Sequence, residues 1–236
     1  MPMRMSVVRR TNMNTSSTVC QRVFAVVTAF CLGLSLMASP AQAATPVYVN
    51  AAMTNDSGNG LTLGTAKKYI GSGIALVESG GTVNVAAGTY HEQLTITKPL
   101  TLNGADGAVL DGTGLAPQWT TGVKIRSGNV TLNNIDVANF TQDGITAYDN
   151  IDMPNLHITN CKISNIQPGY WGFGIYVGYE SEGFGYTPPD LTRHLDFSGL
   201  LIESNEIVNT HSAACRVVFK SGILCAIKSG IFTLGG

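Results

Sequence analysis

The stretch from Gly178 to Gly199 collects several side chains that could take part in chemistry. Carboxylate, imidazole and guanidinium groups can transfer protons or stabilise charge, and an aromatic ring offers a flat face on which the C–H groups of a sugar stack. The charged and aromatic residues of this stretch include Tyr179, Glu180, Glu182, Phe184, Tyr186, Asp190, Arg193, His194 and Asp196, and Tyr170 and Trp171 come shortly before it. The same rings could instead pack the stretch onto the body of the protein, so both interpretations stay open.

An internal repeat predicts the elements that must position these side chains. Val130–Asn139 (VTLNNIDVAN) matches Leu156–Asn165 (LHITNCKISN) at an offset of 26 residues, since 156 − 130 and 165 − 139 are equal. A third copy, Leu200–Asn209 (LLIESNEIVN), follows 44 residues later (200 − 156), and the extra length lies in residues 178–199. A repeat of this period with an insertion at one fixed point indicates a solenoid whose loops emerge on one side.

Each copy of the repeat predicts one rung of three short strands. Apolar and polar residues alternate with a period of two, which is typical of strands with one buried face. In the first complete rung the predicted strands are Val130–Asn133, Ile135–Ala138 and Gly144–Tyr148. A single rung cannot close a hydrophobic core, so the rungs must stack on one another.

An asparagine recurs at the same point of each copy, at positions 139, 165 and 209. Asparagine tolerates a left-handed backbone and can form side-chain hydrogen bonds at a bend. We therefore predict a corner at which these asparagines bond to one another from rung to rung, with Asp111 in the same place in the preceding rung.

These residues carry a resemblance to a known group of proteins. The pattern V-x-L-x-N-x-x-V-x-N, followed by Gly-Ile as at Gly144, resembles secreted right-handed parallel β-helix proteins of the pectin-lyase-like group. Residues 81–90 (GTVNVAAGTY) and 94–104 (LTITKPLTLNG) look like the first rungs of such proteins, and the resemblance covers about residues 47–209. It implies an all-β fold, a three-sheet right-handed parallel β-helix with a short N-terminal capping helix.

The predicted organisation has three parts. Residues 1–43 resemble a signal peptide, because arginines precede an apolar run from Val23 to Met37 and Ala41-Gln-Ala43 supplies small residues before a cleavage site. Residues 44–80 form a lead-in strand and a short helix that Thr65 caps and that runs to about Glu78, with Ile70, Ile74 and Val77 on one face. Residues 81–236 form the β-helix. The departure from the repeat after residue 209 predicts a truncated or altered end.

Composition and charge limit the classes of partner that this protein is expected to bind. The formal net charge is −1 and charged residues make up 12% of the chain, so the sequence offers no basic stripe for nucleic acid. The apolar run at residues 23–37 is too short to span a bilayer comfortably. We therefore expect a secreted protein, extracellular or periplasmic, without stable membrane insertion after the signal peptide is removed.

The resemblance implies that a polysaccharide lies in a groove along the first sheet, under the insertion at residues 178–199. By alternation, the outward residues of that sheet are Thr131, Asn133, His157, Thr159, Leu201 and Glu203. Tyr170, Trp171, Tyr179 and Tyr186 would contact the substrate. His157 is a catalytic candidate on this face, although a single exposed histidine is more often a solvated surface residue than a catalytic one.

Two enzyme mechanisms are consistent with these residues. A lyase neutralises a uronate carboxylate and removes the adjacent proton; here Arg193 or His194 would act as the base, and Asp190 or Asp196 would hold calcium, the one cofactor that we consider. A glycoside hydrolase needs two carboxylates on either side of the scissile bond, for which Glu203 would pair with Asp196 or Glu182.

A second class of function stays open beside the enzymes. The first-sheet strands lack a cluster of aspartates, which favours a non-catalytic surface or extracellular-matrix module for adhesion or structure. The altered end of the repeat also allows an inactive fragment of a longer β-helix protein.

Overall fold

The computed structural model describes residues 44–116, 119–147, 151–167, 172–178, 195–211, 215–218, 226–228 and 231–234. Residues 44–236 belong to one compact unit. The expected signal peptide at residues 1–43 lies outside the described residues and stays a prediction. Within the described residues, no helix is long and apolar enough to cross a membrane.

The described chain forms three parallel sheets. Sheet A contains β1 (Val47–Val49), β2 (Thr82–Val85), β5 (Leu100–Gly104), β8 (Val130–Asn133), β11 (His157–Thr159), β14 (Leu201–Glu203) and β17 (Ala226–Lys228). Sheet B contains β3 (Gly88–Tyr90), β6 (Ala108–Asp111), β9 (Asp136–Ala138), β12 (Lys162–Ile166), β15 (Glu206–Thr210) and β18 (Ile231–Leu234). Sheet C contains β4 (Leu94–Ile96), β7 (Thr121–Ile125), β10 (Asp143–Ala147), β13 (Ile175–Gly178) and β16 (Cys215–Val218).

The path of the chain through these sheets confirms the predicted fold. From β2 onward the chain passes from sheet A to sheet B to sheet C and returns to sheet A one rung further on, and every strand pair is parallel. This is a right-handed parallel β-helix, the hand that parallel crossover connections almost always have. The register reproduces the sequence repeat, since Thr131 pairs with His157 and Val137 with Ile163, both 26 residues apart.

The core lies inside the three sheets and consists of the inward residues of each strand. The largest fully buried side chains are Phe140, Phe197, Ile70, Leu94, Ile96, Leu100, Leu102, Leu110, Ile125, Leu132, Ile135 and Ile145. Cys161 occupies the core position that Ile135 has in the preceding rung, and burial raises the pKa of its thiol to about 12. Stacking of equivalent apolar residues thus stabilises the rungs against one another.

The predicted asparagine corner is confirmed. Asn139, Asn165 and Asn209 have left-handed φ angles of 62°, 54° and 53°. Asn165 Nδ2 donates to Asn139 Oδ1 at 3.2 Å, and Asn209 Nδ2 donates to Asn165 Oδ1 at 3.1 Å. Asp111 completes the ladder as predicted, because its Oδ1 accepts from Asn139 Nδ2 at 2.9 Å.

Asparagines also hold the two other corners, which the sequence analysis did not predict. Asn129 and Asn155 lie just before sheet A with φ 54° each, and Asn134 and Asn160 just after it with φ 52° and 55°. Asn155 Nδ2 donates to Asn129 Oδ1 at 2.9 Å, so this corner too is linked from rung to rung. The left-handed preference of asparagine therefore shapes all three corners.

The capping helix α1 spans Ile70–Leu76, and the prediction that Thr65 caps it is wrong, because Tyr69 is the N-cap residue. Residues 63–65 form a 3₁₀ turn, and Lys67 exchanges backbone hydrogen bonds with the strand β1, which keeps this segment extended. The predicted apolar face is confirmed, since Ile70, Ile74 and Val77 are buried. A Cβ on Gly73 would lie 2.5 Å from Val49 Cγ2, so the absence of a side chain there lets α1 approach sheet A closely.

Candidate functional site

The outer face of sheet A carries two rows of partly exposed side chains that repeat from strand to strand. The threonine row consists of Thr82, Thr101, Thr131, His157 and Leu201, and the asparagine row of Asn84, Asn103, Asn133, Thr159 and Glu203. Strands β2, β5 and β8 contribute the same outward pair, a threonine and then an asparagine two residues later. Because parallel strands lie about 4.8 Å apart, equivalent side chains recur at that spacing along the solenoid.

Hydrogen bonds fix the centre of the asparagine row. Asn133 Nδ2 donates to Asn103 Oδ1 at 2.7 Å, and Asn133 Oδ1 accepts from Thr159 Oγ1 at 3.0 Å. Asn160, at the corner next to the row, also donates from Nδ2 to Asn133 Oδ1 at 2.8 Å. The row is therefore a pre-arranged polar surface, and binding a partner there would order few additional side chains.

His157 and Glu203 lie on this face, as the alternation predicted. Glu203 pairs in register with Thr159, and His157 pairs with Leu201, so the two residues occupy diagonal positions on adjacent strands. Diagonal Cα atoms of adjacent strands are about 8 Å apart. The structure thus brings a carboxylate and an imidazole onto the same part of the face.

Asp196 lies elsewhere, at the corner that leads into β14. Its Oδ1 accepts from Ser198 N at 2.8 Å, and its own backbone N–H donates to Asp152 Oδ1 at 3.0 Å. The hydrogen bonds from Ser198 hold the pKa of Asp196 below its ordinary value. Glu203 is the last residue of β14, whereas Asp196 lies five residues before the first residue of that strand, and the pairing of the two carboxylates stays a prediction.

Eight of the predicted site residues lie outside the described residues and stay predictions. They are Tyr170, Trp171, Tyr179, Glu182, Tyr186, Asp190, Arg193 and His194. The described site therefore consists of the two rows of sheet A, with His157 and Glu203 as its titratable members.

The calcium site expected at Asp190 or Asp196 stays a prediction, because Asp190 lies outside the described residues. Among the residues that the structure describes, no group of three or more histidine, cysteine, aspartate or glutamate side chains could hold a metal ion. Residues 55–60 form a polar turn whose side-chain oxygens accept hydrogen bonds from the backbone of the protein. Asn55 Oδ1 accepts from Ser57 N at 2.9 Å, and Asp56 Oδ1 accepts from Lys68 N at 2.6 Å.

Sequence reasoning missed a buried carboxylate in sheet C. Asp143 is fully buried, and its Oδ1 accepts from Phe173 N at 3.0 Å. Burial raises its pKa to about 6, against the lowering effects of the Phe173 hydrogen bond and of the Lys124 charge. The predicted strand begins one residue later, at Gly144, and so does not include Asp143.

Comparison with known proteins supports the fold. No protein-family model matches the sequence, and no curated protein matches it. The solved native structure of a GH136 lacto-N-biosidase from Eubacterium ramulus superposes with a TM-score of 0.52 at 13% identity, over 86% of this chain and 40% of that one. This chain therefore spans less than half the length of that enzyme, and the likeness shows a shared β-helix fold.

A second solved structure gives a weaker superposition. The pectin methylesterase from Aspergillus niger has a TM-score of 0.42 and 18% identity, over 81% of this chain and 68% of that one.

Proposed function

We propose that this protein is directed at a polysaccharide that lies along the outer face of sheet A and crosses its strands. The observation that carries the proposal is the repetition of the threonine and asparagine rows on successive rungs. A surface that repeats the same hydroxyl and amide groups at a fixed spacing offers a repeating polymer equivalent contacts along its length. Hydroxyl and amide groups both donate and accept hydrogen bonds, as sugar hydroxyls require.

Within that proposal, hydrolysis of a neutral glycan fits the face better than elimination from a uronate. Glu203 places a carboxylate at the end of the asparagine row, and a negative charge there repels the carboxylates of a polyuronate. In the hydrolase reading Glu203 is one of the two carboxylates that glycoside hydrolysis uses. We expect the second from the 178–199 insertion, in which Glu182 was the sequence-based candidate beside Asp196.

A non-catalytic adhesion or structural module is the second candidate function. It is favoured by the position of Asp196, which closes its own corner through Ser198 and lies at the opposite end of β14 from Glu203. Such a module would bind the polymer through the same two rows without cleaving it.

The test is a screen of the purified protein on neutral glycans, pectate and alginate, with binding and release of reducing ends measured separately. The informative variant is Glu203→Gln, and Glu206→Gln is its matched control, because Glu206 pairs with Lys162 at 3.0 Å on sheet B. A hydrolase loses cleavage in the first variant and keeps it in the second. Binding without cleavage identifies the module, and neither binding nor cleavage on any glycan would overturn the proposal.

A further inference from the structure

Two buried side-chain oxygens on neighbouring strands of sheet C have no hydrogen-bond partner among the residues that the structure describes. They are Thr121 Oγ1 on β7 and Asp143 Oδ2 on β10. Thr121 is 1% exposed and Asp143 is 0% exposed. Burying a polar atom without a partner costs free energy, so almost all such atoms in folded proteins are paired.

The two oxygens belong to one place in the fold. Asp143 is the register partner of Thr121 in the parallel pair of β10 and β7, so their Cα atoms are about 4.8 Å apart. Gln93, from the rung below, also reaches this place, because its Oε1 accepts from Thr121 N at 3.1 Å. Three successive rungs therefore contribute a carboxylate, a hydroxyl and an amide oxygen, and the exposed Gln93 connects the group to the surface.

Among the described residues, no cation contacts the Asp143 carboxylate directly. The charge of Lys124 favours ionised Asp143, but burial outweighs it and raises the pKa. Since Oδ2 has no hydrogen-bond partner, Lys124 does not neutralise that oxygen by contact. A positive species bound at Oδ2 would remove the cost of burying the charge.

The burial of these atoms limits what can bind to them. Each has less than 1 Å² of exposed surface, which excludes a sugar or another extended ligand. Any ligand of these oxygens is therefore no larger than a single ion. Carboxylate, hydroxyl and amide oxygens are hard ligands, which bind hard cations such as calcium and magnesium in preference to metals that bind sulfur.

We propose that Asp143 Oδ2 and Thr121 Oγ1 bind one hard cation between β7 and β10, with Gln93 Oε1 as the third oxygen on the surface side. The bound ion ties three consecutive rungs together at the corner between sheets B and C. This site is separate from the outer face of sheet A and is independent of any polysaccharide.

The test is thermal unfolding of the purified protein after treatment with EDTA and dialysis at pH 7.5. Calcium chloride, magnesium chloride, sodium chloride and potassium chloride are added separately, and choline chloride keeps the ionic strength constant. The variants are Asp143→Asn and Thr121→Val, which keep the shape of each side chain. Asp136→Asn is the matched control, because Asp136 is a half-buried carboxylate on the outer face of sheet B.

We expect at least one of these cations to raise the Tm of the wild-type protein and of Asp136→Asn in a saturable way. Asp143→Asn should abolish the rise, and Thr121→Val should weaken cation binding about tenfold. If Asp143→Asn fails to fold, Thr121→Val still tests the site. The proposal is overturned if no cation changes the Tm beyond choline, or if the rise is the same in Asp143→Asn and Thr121→Val as in the wild type.

Discussion

Glu92 and Lys98 hold the two ends of the capping helix α1. Glu92 accepts hydrogen bonds from the first two N–H groups of the helix, at 2.7 Å and 2.8 Å. Lys98 Nζ donates to the carbonyl oxygens of Ala75, at 3.2 Å, and of Val77. Because a helix is partially positive at its N-terminus and partially negative at its C-terminus, both contacts have the favourable sign. Glu92 and Lys98 lie on either side of β4, so the rung that contains β4 stabilises both ends of the capping helix.

Removal of the Glu92 carboxylate should loosen the cap. The residue before α1, Tyr69, makes no side-chain capping bond, so Glu92→Ala leaves two helix N–H groups without their acceptor. We expect a loss of about 1–3 kcal/mol in the free energy of unfolding, measured with urea at pH 7. The exposed Glu78 provides the control, and Glu78→Ala should change the stability by less than about 0.5 kcal/mol. Equal losses of stability in Glu92→Ala and Glu78→Ala would contradict this role of Glu92 at the start of the helix.

Asp143 should make the stability depend on pH in a defined window. Its pKa is about 6 in the folded protein and 3.8 ordinarily, so between these values the folded state binds more protons than the unfolded state. Its contribution is therefore present below pH 4 and is lost as the pH rises through 6. The difference between the folded and the ordinary pKa of Asp143 corresponds to a loss of roughly 3 kcal/mol in the free energy of unfolding at pH 7. In EDTA, Asp143→Asn should be more stable than the wild type at pH 7, and the difference should shrink toward pH 4 in urea unfolding curves. A variant that is equally destabilised at both pH values would contradict this assignment.

Interruption of the asparagine ladder at its centre, Asn165, should lower the free energy of unfolding most. Asn165→Ala removes hydrogen bonds to Asn139 and Asn209 and replaces asparagine, which tolerates the left-handed conformation at φ 54°, with alanine, which disfavours it. We expect a loss of about 2–4 kcal/mol, the sum of two hydrogen bonds and the backbone strain. Asn165→Gly removes the same bonds without the strain, so it should cost about 1–2 kcal/mol less. If both variants lose the same stability in urea, the conformational part of this explanation fails.

The repeat predicted the solenoid well because each rung faces the same physical problem. Ile163 must lie above Val137, and a corner must bend at residue 165 as at residue 139, so the same residue types recur in the sequence. The start of α1 was not predictable in this way, because the extended state of Lys67 depends on pairing with β1, which is distant along the chain.

The candidate site was predictable only in part. Alternation placed His157 and Glu203 on the outer face, since each flanks a buried residue of its strand. Asp196 looked like a possible partner for Glu203, but a carboxylate two residues before a backbone N–H readily closes its own turn, as its bond with Ser198 shows. The burial of Asp143 could not be predicted, because it arises from packing that the local sequence does not encode.

A bulky charged residue in the threonine row should block the polysaccharide without unfolding the protein. Thr131 lies on the central strand β8, half-exposed and pointing away from the core, so Thr131→Arg changes the surface and leaves the packing of Val130 and Leu132 intact. We expect at least a tenfold loss of affinity, about 1.4 kcal/mol, for a glycan that the wild-type protein binds. Ser164→Arg is the matched control, because Ser164 is a half-exposed outward hydroxyl residue on β12 of sheet B. The measurement is calorimetric titration with the same glycan, with the Tm of each variant checked first. Equal affinities in Thr131→Arg and the wild type would move the polysaccharide away from sheet A, whereas a loss in both variants would mean that the polymer does not distinguish the faces of the solenoid.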